Sequence, residues 1–560
     1  MSDEEIRDDL AEVLDRRRRA GDEARPEAVE RRRASGRRTA RENVEDLVDP
    51  GSFVEYGRLA LAAQRARREL DELITRTPAD GLIGGTARIN GELFGDAAAC
   101  AVLSYDYTVL AGTQGAIGHR KKDRLFELIE RMRLPTVFLA EGGGGRPGDT
   151  DHAVVSALDT RAFALWGRLS GQVPRIAIVA GRCFAGNAVI AGASDLIVSA
   201  GDIALGMGGP AMVEGGGLGT FEPEAIGPLD VQSRNGVVDV VATDEAEAVA
   251  ITKRLIGYFQ GALPKPGSDP APGSGVEGSD PNAGSDPAPG SDVEGSDRKG
   301  SDPTSAREAS ARDTALRTLI PARRRRAYDV RTVVEAVADS DSVTFLREAF
   351  APEMVVAFAR LEGRPIGVIA NNPMYLAGAI TSSGADKAAR HMQLCDAFGL
   401  PILSLIDTPG MMVGPEAEET ALVRHCSRLF VAGAALRVPF VALILRKAYG
   451  LGAQAMAAGS MHEPLLTIGW PTAELGAMGL EGAVKLGFKR ELDAIADPDE
   501  RARRLEDMVA HAHEHGKALN AATLFELDDV IDPADTRRVV SATFAAAAPA
   551  ATSGRFVDTW

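Results

Sequence analysis

Short apolar runs alternate with amphipathic stretches along two long parts of the chain. In residues 80–262 the clearest strand pattern is IAIVA at residues 176–180, and the clearest helical pattern covers residues 125–132. Residues 325–535 repeat this alternation. Strands that alternate with helices predict an α/β fold, and a chain of 560 residues exceeds what one hydrophobic core usually holds. We therefore expect two α/β domains.

One strand–turn–helix element occurs in both parts. It reads IAIVAGRCFAGNA at residues 176–188 and VALILRKAYGLGA at residues 441–453, and both strands follow a Val-Pro pair. Each copy passes from apolar residues through a small-residue turn into an apolar helix. Backbone N–H groups at a helix start attract negative charge. Each turn is therefore a candidate oxyanion site, and the pair predicts a chain that stabilises two oxyanions.

The repeat extends beyond this element. Leu-Ala-Gly occurs at residues 110–112 and 376–378, and each copy is followed after the same spacing by Leu-Pro. The loop EGGGG at residues 141–145 is matched by DTPG at residues 407–410. Three more residues match at a constant offset: Lys121, Arg124 and Leu128 with Lys387, Arg390 and Leu394. A register kept over about eighty residues predicts a duplicated domain.

The composition changes between the two parts. Residues 264–310 are rich in Gly, Ser, Asp and Pro, which cannot form a core, so we expect a disordered linker. The predicted units are an N-terminal domain with a helical arm (residues 1–262), the linker (263–312) and a C-terminal domain (313–560). The low-information stretch at residues 542–551 predicts a frayed tail.

Charge and cysteine content exclude several classes of function. The formal net charge of −17 argues against a general nucleic-acid binder. Basic runs at residues 16–19 and 31–33 favour a solvated helical arm or a subunit-packing segment. The cysteines form no C-x-x-C pair, so neither a metal site nor a disulfide framework is predicted. No apolar run approaches the roughly 20 residues of a membrane span, and no secretory leader pattern is present, so we expect a cytoplasmic protein.

The first turn resembles the signature of the crotonase superfamily. In that superfamily a thioester oxygen lies against backbone N–H groups at this turn, which makes Ala185 and Gly186 the expected donors. Relatives often carry Gly-Gly at this point, whereas this chain has Ala185-Gly186 followed by Asn187, and the alanine restricts φ. A tight packing turn would explain the small residues equally well, but it would not explain why the surrounding pattern occurs twice.

Residues 141–146 form a second candidate element. Gly142 and Gly143, followed by Arg146, suit a loop that backs the first turn and faces an anionic cofactor or substrate. A purely structural loop fits the same residues equally well. The spacing differs from the G-x-G-x-x-G of a dinucleotide site, which argues against a nicotinamide cofactor.

The second turn resembles the R-K-x-Y-G-G-A element of the β subunits of biotin-dependent carboxylases of the propionyl-CoA and acetyl-CoA type. It reads RKAYGLG at residues 446–452, with Leu451 in place of the second glycine. The resemblance covers about residues 36–262 and 325–535. Other segments that agree with this family are GRRTAR (36–41), DPGSF (49–53), FARLEGRP (358–365), IANNP (369–373), WPTA (470–473), MG (478–479) and GAV (482–484).

This resemblance implies two tandem crotonase-like domains, each a ββα superhelix. They would form a carboxyltransferase that moves CO2 from carboxybiotin to a short-chain acyl-CoA. The first turn would hold the thioester oxygen and the second turn the ureido oxygen of biotin. The implied catalytic residues are Ala185, Gly186, Leu451 and Gly452. The implied cofactor-binding residues are Gly142, Gly143, Arg146, Tyr449, Gly450 and Gln454, of which Gln454 would line the acyl pocket.

Such chemistry needs no side-chain base, because the cofactor and backbone dipoles carry the reaction. This agrees with the lack of a G-x-S-x-G motif and of any Ser/His/Asp or Cys/His set. Cys183 lies in an apolar strand and is interpreted as a buried, inert thiol. His391, His425 and His462 are interpreted as ordinary helix or loop residues.

The resemblance also implies partners. No A-M-K-M-type biotinylation site or ATP-grasp-like glycine loop is present, so a biotin carboxylase and a biotin carboxyl carrier would lie on other chains. The family expectation is a homohexamer whose active site is completed between subunits. The CoA phosphates would need cations, for which residues 119–124 and Arg146 are candidates. For residues 119–124 a solvated helix start is the favoured interpretation.

Three other functions stay open. A crotonase-type hydratase or isomerase would use carboxylates, and Glu214 lies in the right region but has no evident partner carboxylate. A biotin-dependent acyl-CoA decarboxylase, coupled to a membrane ion pump, would use nearly identical chemistry. A non-catalytic scaffold would explain the altered turns at Asn187 and Leu451.

The linker gives the first testable prediction. Because its composition suits only a tether, deletion of residues 267–303 should leave carboxyl transfer within about twofold of the intact chain. The rate of carboxyl transfer by the deleted chain measures this. A large loss of rate would show that the segment does more than connect the two domains.

Overall fold

The computed structural model describes residues 7–146, 148–151, 160–263, 311–548, 552 and 554–560. These residues form two β-sheets flanked by helices, one sheet from each half of the chain. The α/β class expected from the sequence is confirmed. Residues 264–310 of the predicted linker lie outside the described residues, so the linker stays a prediction.

The first sheet has seven strands, whose order in space follows their order in the chain. They are β1 (Val54–Glu55), β2 (Leu82–Arg88), β3 (Ala99–Tyr105), β4 (Thr136–Gly142), β5 (Arg175–Phe184), β6 (Leu196–Gly206) and β7 (Val240–Ala242). β1, β2 and β3 pair antiparallel, and β3 to β7 pair parallel. Buried parallel strands need apolar side chains on both faces, which explains the near-continuous apolar run of β5.

The second sheet has eight strands. They are β8 (Thr344–Leu346), β9 (Met354–Leu361), β10 (Arg364–Asn371), β11 (Ile402–Thr408), β12 (Phe440–Tyr449), β13 (Leu466–Gly469), β14 (Glu474–Gly476) and β15 (Asp529–Val530). The spatial order is β15-β13-β12-β11-β10-β9-β8, and β14 pairs with the end of β12. As in the first sheet, two antiparallel pairs at one edge lead into parallel strands.

Helices connect the strands and pack against the sheets. Those of the first half are α1 (Asp8–Arg19), α2 (Pro26–Ala34), α3 (Ala40–Leu47), α4 (Leu70–Arg76), α5 (Gly91–Phe94), α6 (Ala116–Met132), α7 (Ala162–Arg168), α8 (Gly186–Gly192), α9 (Pro210–Gly215), α10 (Leu229–Arg234) and α11 (Glu245–Phe259). Those of the second half are α12 (Arg331–Val337), α13 (Ser382–Phe398), α14 (Pro415–Glu418), α15 (Leu422–Ala434), α16 (Gly450–Met456), α17 (Leu480–Gly487), α18 (Lys489–Asp493), α19 (Pro498–His515), α20 (Ala518–Thr523) and α21 (Thr536–Ala546).

The two halves share unusual backbone features at matched positions. The Leu-Ala-Gly turns at residues 110–112 and 376–378 are left-handed throughout, with the alanine at φ 55° in both. The same parallel bridge follows each turn, Gln114–Gly145 in one half and Ile380–Met411 in the other. The β4–β5 and β11–β12 ladders also shift register at equivalent points. These features confirm the duplication predicted from the sequence.

Buried polar contacts join the halves. Arg390 of α13 donates a hydrogen bond to the backbone oxygen of Asp195 at 2.7 Å. Arg347 Nε lies 2.8 Å from the carboxylate of Asp239, and both side chains are buried. The largest hydrophobic cluster contains residues of both sheets and of α13. The second half is therefore packed directly on the first.

One expectation for the ends of the chain is wrong. Residues 542–546 continue α21, where Phe544 is buried, so this part is not a frayed tail. Further on, the N–H of buried Val557 donates to the hydroxyl of Ser170 at 3.0 Å. In the N-terminal arm, Arg17, Arg18, Arg31 and Arg33 are exposed, as expected for a solvated helical arm, whereas the Arg32 guanidinium donates to Glu141 Oε2 at 2.7 Å. Both ends are fixed by contacts with distant parts of the chain.

Candidate active site

The first turn lies between β5 and α8. Ala185 adopts φ 53° and ψ −123°, a conformation that L-residues rarely take, and it turns the chain directly into the helix. Its N–H donates to the oxygen of Gly206 at 3.1 Å. The N–H groups of the first helical residues have no acceptor four residues back within the helix. Of the two predicted donors, the N–H of Gly186, the first residue of α8, is therefore the one that the structure leaves in position. The N–H of Ala185 is already bonded, and Ala185 forms the turn itself.

The loop at residues 141–146 packs against this turn. A side chain on Gly144 would place its Cβ 2.8 Å from the Cβ of Ala185, so only glycine fits there. Gly142 is buried at φ 125°, where a Cβ would lie 2.3 Å from the oxygen of Gly112. Gly143 is exposed, and its N–H donates to the oxygen of Ala111 at 3.2 Å. The glycines thus let two backbone segments close on the first turn.

The second turn lies between β12 and α16. The sheet pairs Arg175 with Thr136 and Phe440 with Ile402, which sets the register between the two turns. In this register Gly450 is the counterpart of Ala185, and it has the matching φ of 56°. The counterpart of Gly186 is therefore Leu451, and that of Asn187 is Gly452.

The two remaining residues of the second turn differ in their surroundings. Leu451 has a largely exposed side chain, so its replacement of a glycine blocks nothing within the chain. Gly452 is buried, and a Cβ there would lie 2.7 Å from the backbone of Gly410. Only glycine allows this approach. Gln454 is exposed on the next turn of α16.

A buried carboxylate stands behind each loop. Glu141 accepts two hydrogen bonds from Arg32, at 2.8 and 2.7 Å. Burial raises the pKa of the Glu141 carboxyl, against the opposing effect of that guanidinium. The counterpart, Asp407, accepts from Arg446 Nε at 3.0 Å and from the Tyr328 hydroxyl at 2.8 Å. Both carboxylates are engaged in structural pairs, and neither is placed as a general base.

Arg146 is held inside the chain. Its guanidinium donates to Asp80 and, at 2.9 Å, to the oxygen of Thr113, and its side chain is only 4% exposed. Asp80 is fully buried, and its second oxygen accepts from the N–H of Gly118 at 2.6 Å. The expectation of an arginine that faces an anionic ligand is therefore not met here: Arg146 fixes the loop against the start of α6.

The expectation of a solvated helix start at residues 119–124 is wrong. Lys121 and Lys122 of α6 are buried, and only Arg120 and Arg124 are exposed. The ammonium of Lys121 donates to the oxygens of Gly57, Ala79 and Leu82. Its counterpart Lys387 is bonded in the same way, to the oxygens of Arg347 at 2.8 Å and Phe350 at 2.7 Å. These lysines bind backbone carbonyls and are not available to phosphates.

Lys387 predicts a pH dependence of stability. Burial lowers its pKa to about 7 from the ordinary value of 10.5. Between these values the unfolded chain holds a proton that the folded chain releases, so the free energy of unfolding rises with pH, by at most about 1.4 kcal/mol per pH unit. Urea titrations from pH 7 to 9 should therefore show a steeper rise for the wild type than for Lys387→Met. Equal slopes would contradict this explanation.

Tyr449, at the end of β12, has its hydroxyl turned into the protein. It donates to Glu474 Oε1, and the other oxygen of Glu474 lies 3.0 Å from His513 Nδ1. Burial and this carboxylate raise the pKa of Tyr449 well above its usual range. Tyr449 thus anchors the strand that leads into the second turn. A cofactor contact from this residue would have to come from its ring or its backbone.

An open groove borders the second turn. Its volume is about 590 Å³, within the range of small-molecule sites. Gly450, Leu451 and Gln454 form one side of the groove. The facing side is mostly apolar and includes Leu475, Leu480, Ala521 and Leu524. The groove places free space directly beside the N–H groups that begin α16.

The other candidate side chains are not positioned to act in catalysis. Cys183 is fully buried, and burial raises the pKa of its thiol far above the usual range, as expected for an inert cysteine. His391 is buried on α13, and Glu214 is exposed on α9. Among the described residues, no group of three or more His, Cys, Asp or Glu is arranged to hold a metal ion. None of the helices in this part of the chain is long and apolar enough to cross a membrane.

Several supporting residues were not identified from the sequence. Arg32, Asp80 and Asp407 fix the loops beside the turns through partners that lie far away along the chain. No local spacing signals such pairs. Asn187 did carry a signal, since it belongs to the turn that departs from the family pattern, and its side chain is fully buried beside the first turn.

Comparison with known proteins agrees with this geometry. The carboxyl transferase domain family matches residues 31–555. The chain is 30% identical to the propionyl-CoA carboxylase beta chain of Saccharopolyspora erythraea over 537 residues, which covers 94% of this chain and 91% of that protein. The crystal structure of the transcarboxylase 12S hexamer with methylmalonyl-CoA superposes with a TM-score of 0.76 at 26% identity, covering 98% of both chains.

A third similar structure is a single-chain, multi-domain long-chain acyl-CoA carboxylase. It superposes with a TM-score of 0.84 at 50% identity and covers 96% of this chain. The present chain spans about half the length of that protein, 49%. The family match extends over both sheets and both turns. The chain therefore belongs to the carboxyl transferase family and is a carboxyltransferase of the biotin-dependent acyl-CoA carboxylase type.

Proposed function

We propose that this chain moves a carboxyl group from carboxybiotin, carried on a partner protein, to the α-carbon of a short-chain acyl-CoA. The observation that carries the proposal is the matched pair of strand–turn–helix elements. Each has a positive-φ residue, Ala185 or Gly450, directly before the N–H groups of a helix start. A reaction with two oxyanions needs two such sites.

The first turn is assigned to the thioester oxygen of the acyl-CoA, with Gly186 as the principal donor. An enolate of a thioester carries its negative charge on this oxygen. Fixed amide dipoles stabilise that charge without reorganising during the reaction. The glycine loop at residues 142–145 supports the assignment, because it keeps bulky side chains away from the turn. The acyl-CoA domain is accordingly residues 1–262.

The second turn is assigned to the ureido oxygen of biotin, with the N–H groups of Gly450, Leu451 and Gly452 at the start of α16 as donors. The groove of about 590 Å³ beside Leu451 suits a small bicyclic ring with an apolar face. When bound, carboxybiotin supplies the CO2 and the nitrogen that takes the α-proton. The carboxybiotin domain is accordingly residues 313–560.

This chain's own part in the reaction is to bind, orient and stabilise charge. The carboxylates of Glu141 and Asp407 are paired with arginines, and the thiol of Cys183 is buried, so none of these three groups competes for the α-proton. Gly142 and Gly144 hold the loop on the first turn, and Gly410 with Gly452 does the same at the second. Both sites are thus preorganised by backbone packing.

The partners are inferred from the relatives. The 12S transcarboxylase is described as a hexamer with methylmalonyl-CoA, and we propose a homohexamer whose active site is completed between subunits. The single-chain carboxylase is about twice as long as this chain, and we propose that a biotin carboxylase and a biotin carboxyl carrier supply the carboxybiotin.

A long-chain acyl-CoA is a second candidate substrate. It is favoured by the 50% identity to the long-chain acyl-CoA carboxylase, which exceeds the identity to the propionyl-CoA carboxylase chain. Purified oligomer supplied with the carboxylated biotin carrier and acyl-CoAs from acetyl- to palmitoyl-CoA would separate the two. A maximum kcat/KM at propionyl-CoA or butyryl-CoA supports the short-chain proposal. A maximum at palmitoyl-CoA replaces it with the long-chain one.

The same assay tests the rival functions. Hydration of crotonyl-CoA without biotin would indicate a hydratase and contradict the proposal. Turnover with none of the acyl-CoAs, in a chain that is folded and oligomeric, would indicate a scaffold. A preference for decarboxylation together with a membrane ion pump as partner would indicate a decarboxylase complex.

A further inference from the structure

A series of buried polar side chains, joined by hydrogen bonds, lies directly behind the first turn. Lys122 Nζ donates to Gln114 Oε1, and also to the Tyr105 hydroxyl at 3.1 Å. Gln114 Nε2 donates to Asn187 Oδ1 at 2.7 Å. Lys122 and Asn187 are both fully buried. The three residues come from α6, the segment before it, and the start of α8.

This series of hydrogen bonds ends on backbone oxygens. Asn187 Nδ2 donates to the oxygen of Gly112 at 3.1 Å and to the oxygen of Glu141 at 2.7 Å. Gly112 closes the left-handed Leu-Ala-Gly turn, and Glu141 begins the glycine loop. One amide group therefore ties the first turn to both segments that close on it. We call Lys122, Gln114 and Asn187 the relay.

Both ends of the relay fix the direction of its bonds. The oxygens of Gly112 and Glu141 only accept, so the NH2 of Asn187 must face them, and its Oδ1 faces the NH2 of Gln114. The oxygen of Gln114 then accepts from Lys122 Nζ, which donates whether or not it is protonated. Without the lysine this buried oxygen loses that donor, so the Gln114 side chain is no longer held in place. A buried network of this kind specifies one arrangement only when all members are satisfied.

The relay also touches the proposed donor. A Cβ on Gly186 would lie 2.8 Å from Gln114 Nε2, so this amide fills the space directly beside the residue that begins α8. Any rotation or withdrawal of Gln114 therefore alters the packing against Gly186.

The matched positions of the second half form no such relay. At the positions matched to Gln114 and Lys122 it carries Ile380 and Ala388, both buried and apolar. At the position matched to Asn187 it carries Gly452. The duplicated fold thus forms its turn without these polar groups, and their presence in the first half calls for a role specific to the first turn.

We propose that Lys122 is a positioning residue for the first turn, acting through Gln114 and Asn187 to hold the N–H of Gly186 where the acyl-CoA oxyanion forms. The inference rests on the proposed function for the identity of that oxyanion. That the relay orders the start of α8 is inferred from the contacts alone, whatever the ligand.

The test compares amide hydrogen exchange in the intact oligomer. Lys122→Met should speed exchange at residues 186–192 by about tenfold or more and leave residues 450–456 unchanged. Lys121→Met is the matched control, because it removes the neighbouring buried lysine, whose partners are the oxygens of Gly57, Ala79 and Leu82. Unchanged exchange at residues 186–192, or equal acceleration by Lys121→Met, would overturn the proposal.

Gln114→Leu gives a second route to the same readout, because it breaks the relay and leaves the buried amino group of Lys122 in place. The Lys122→Met/Gln114→Leu double variant should exchange no faster at residues 186–192 than the faster single variant. Additive acceleration would mean that the lysine acts by some other route, and would overturn the relay.

Kinetics separate this inference from the proposed function. Lys122→Met and Gln114→Leu should each lower kcat for carboxyl transfer roughly 10- to 100-fold, as expected for a misplaced group, and leave the KM for free biotin unchanged. A raised KM for biotin with normal kcat would overturn the assignment to the first turn. If the wild type transfers no carboxyl group but the exchange pattern holds, the proposed function fails and the relay stands.

Discussion

Replacement of Gly452 with valine should abolish carboxyl transfer while the chain stays folded and oligomeric. A Cβ at this position would lie 2.7 Å from both Cα and C of Gly410 and 3.0 Å from the N of Met411. These are backbone atoms, so they cannot swing aside as a flexible side chain would. The loop at Gly410 or the start of α16 must move, and either shift displaces the N–H groups of the second turn. We expect a loss of at least about 100-fold in kcat, the effect of removing one oxyanion donor.

The same geometry predicts that Gly452→Ala is nearly as damaging, because the first side-chain carbon already meets the backbone. Gly487→Val is the matched control, since a Cβ there has no heavy atom within 4 Å. It should keep wild-type activity. Turnover by Gly452→Val within a few-fold of the control would refute the assignment of the second turn.

Replacement of Gly186 with valine should also abolish carboxyl transfer, through the first turn. A Cβ here meets Gln114 Nε2 at 2.8 Å and Phe163 Cζ at 2.9 Å. Valine fills the space beside the N–H that is assigned to the thioester oxygen and disrupts the buried amides. A loss of at least about 100-fold in kcat is expected, with acyl-CoA binding weakened as well.

The two turns should differ in their tolerance of alanine. The neighbours of Gly186 are side-chain atoms, whereas those of Gly452 are backbone atoms, which move less easily, so Gly186→Ala should lose less activity than Gly452→Ala. Gly192→Val, at the far end of α8, is the control, because a Cβ there meets nothing within 4 Å. Equal activity of Gly186→Val and Gly192→Val would contradict the role of the first turn.

The sequence was sufficient to predict the fold class, the duplication and both turns, because these rest on local patterns. Apolar periodicity marks the strands and helices, and small residues mark the turns whatever else the chain does. The spacing of Leu-Ala-Gly at residues 110–112 and 376–378 was enough to predict two matched halves, and the structure repeats even the left-handed backbone of these turns.

The donors themselves could not be assigned from the sequence. Whether the N–H of Ala185 is free depends on its bond to Gly206, which is set by the register of β5 against β6. Likewise, the equivalence of Leu451 with Gly186 follows from strand pairing and not from motif letters. Register is a tertiary property, so a motif can locate a turn without showing which N–H groups point outwards.

Burial of charge was the other source of error. Residues 119–124 and Arg146 have the composition of a solvated or ligand-facing surface, yet Lys121, Lys122 and Arg146 are buried. Each is stabilised by partners from distant segments, such as the oxygen of Leu82 for Lys121 and the carboxylate of Asp80 for Arg146. Charged residues are almost never buried unless they are paired, and pairing across the chain has no local signature.

The central claim is that one chain divides the reaction between two backbone sites. A crystal structure of the oligomer with both an acyl-CoA and biotin bound would test it most directly. We expect the thioester oxygen about 2.7–3.1 Å from the backbone nitrogen of Gly186, and the ureido oxygen of biotin at the same distance from a backbone nitrogen at residues 450–452. Binding of either oxygen away from its turn, or of both ligands at the same turn, would contradict the account.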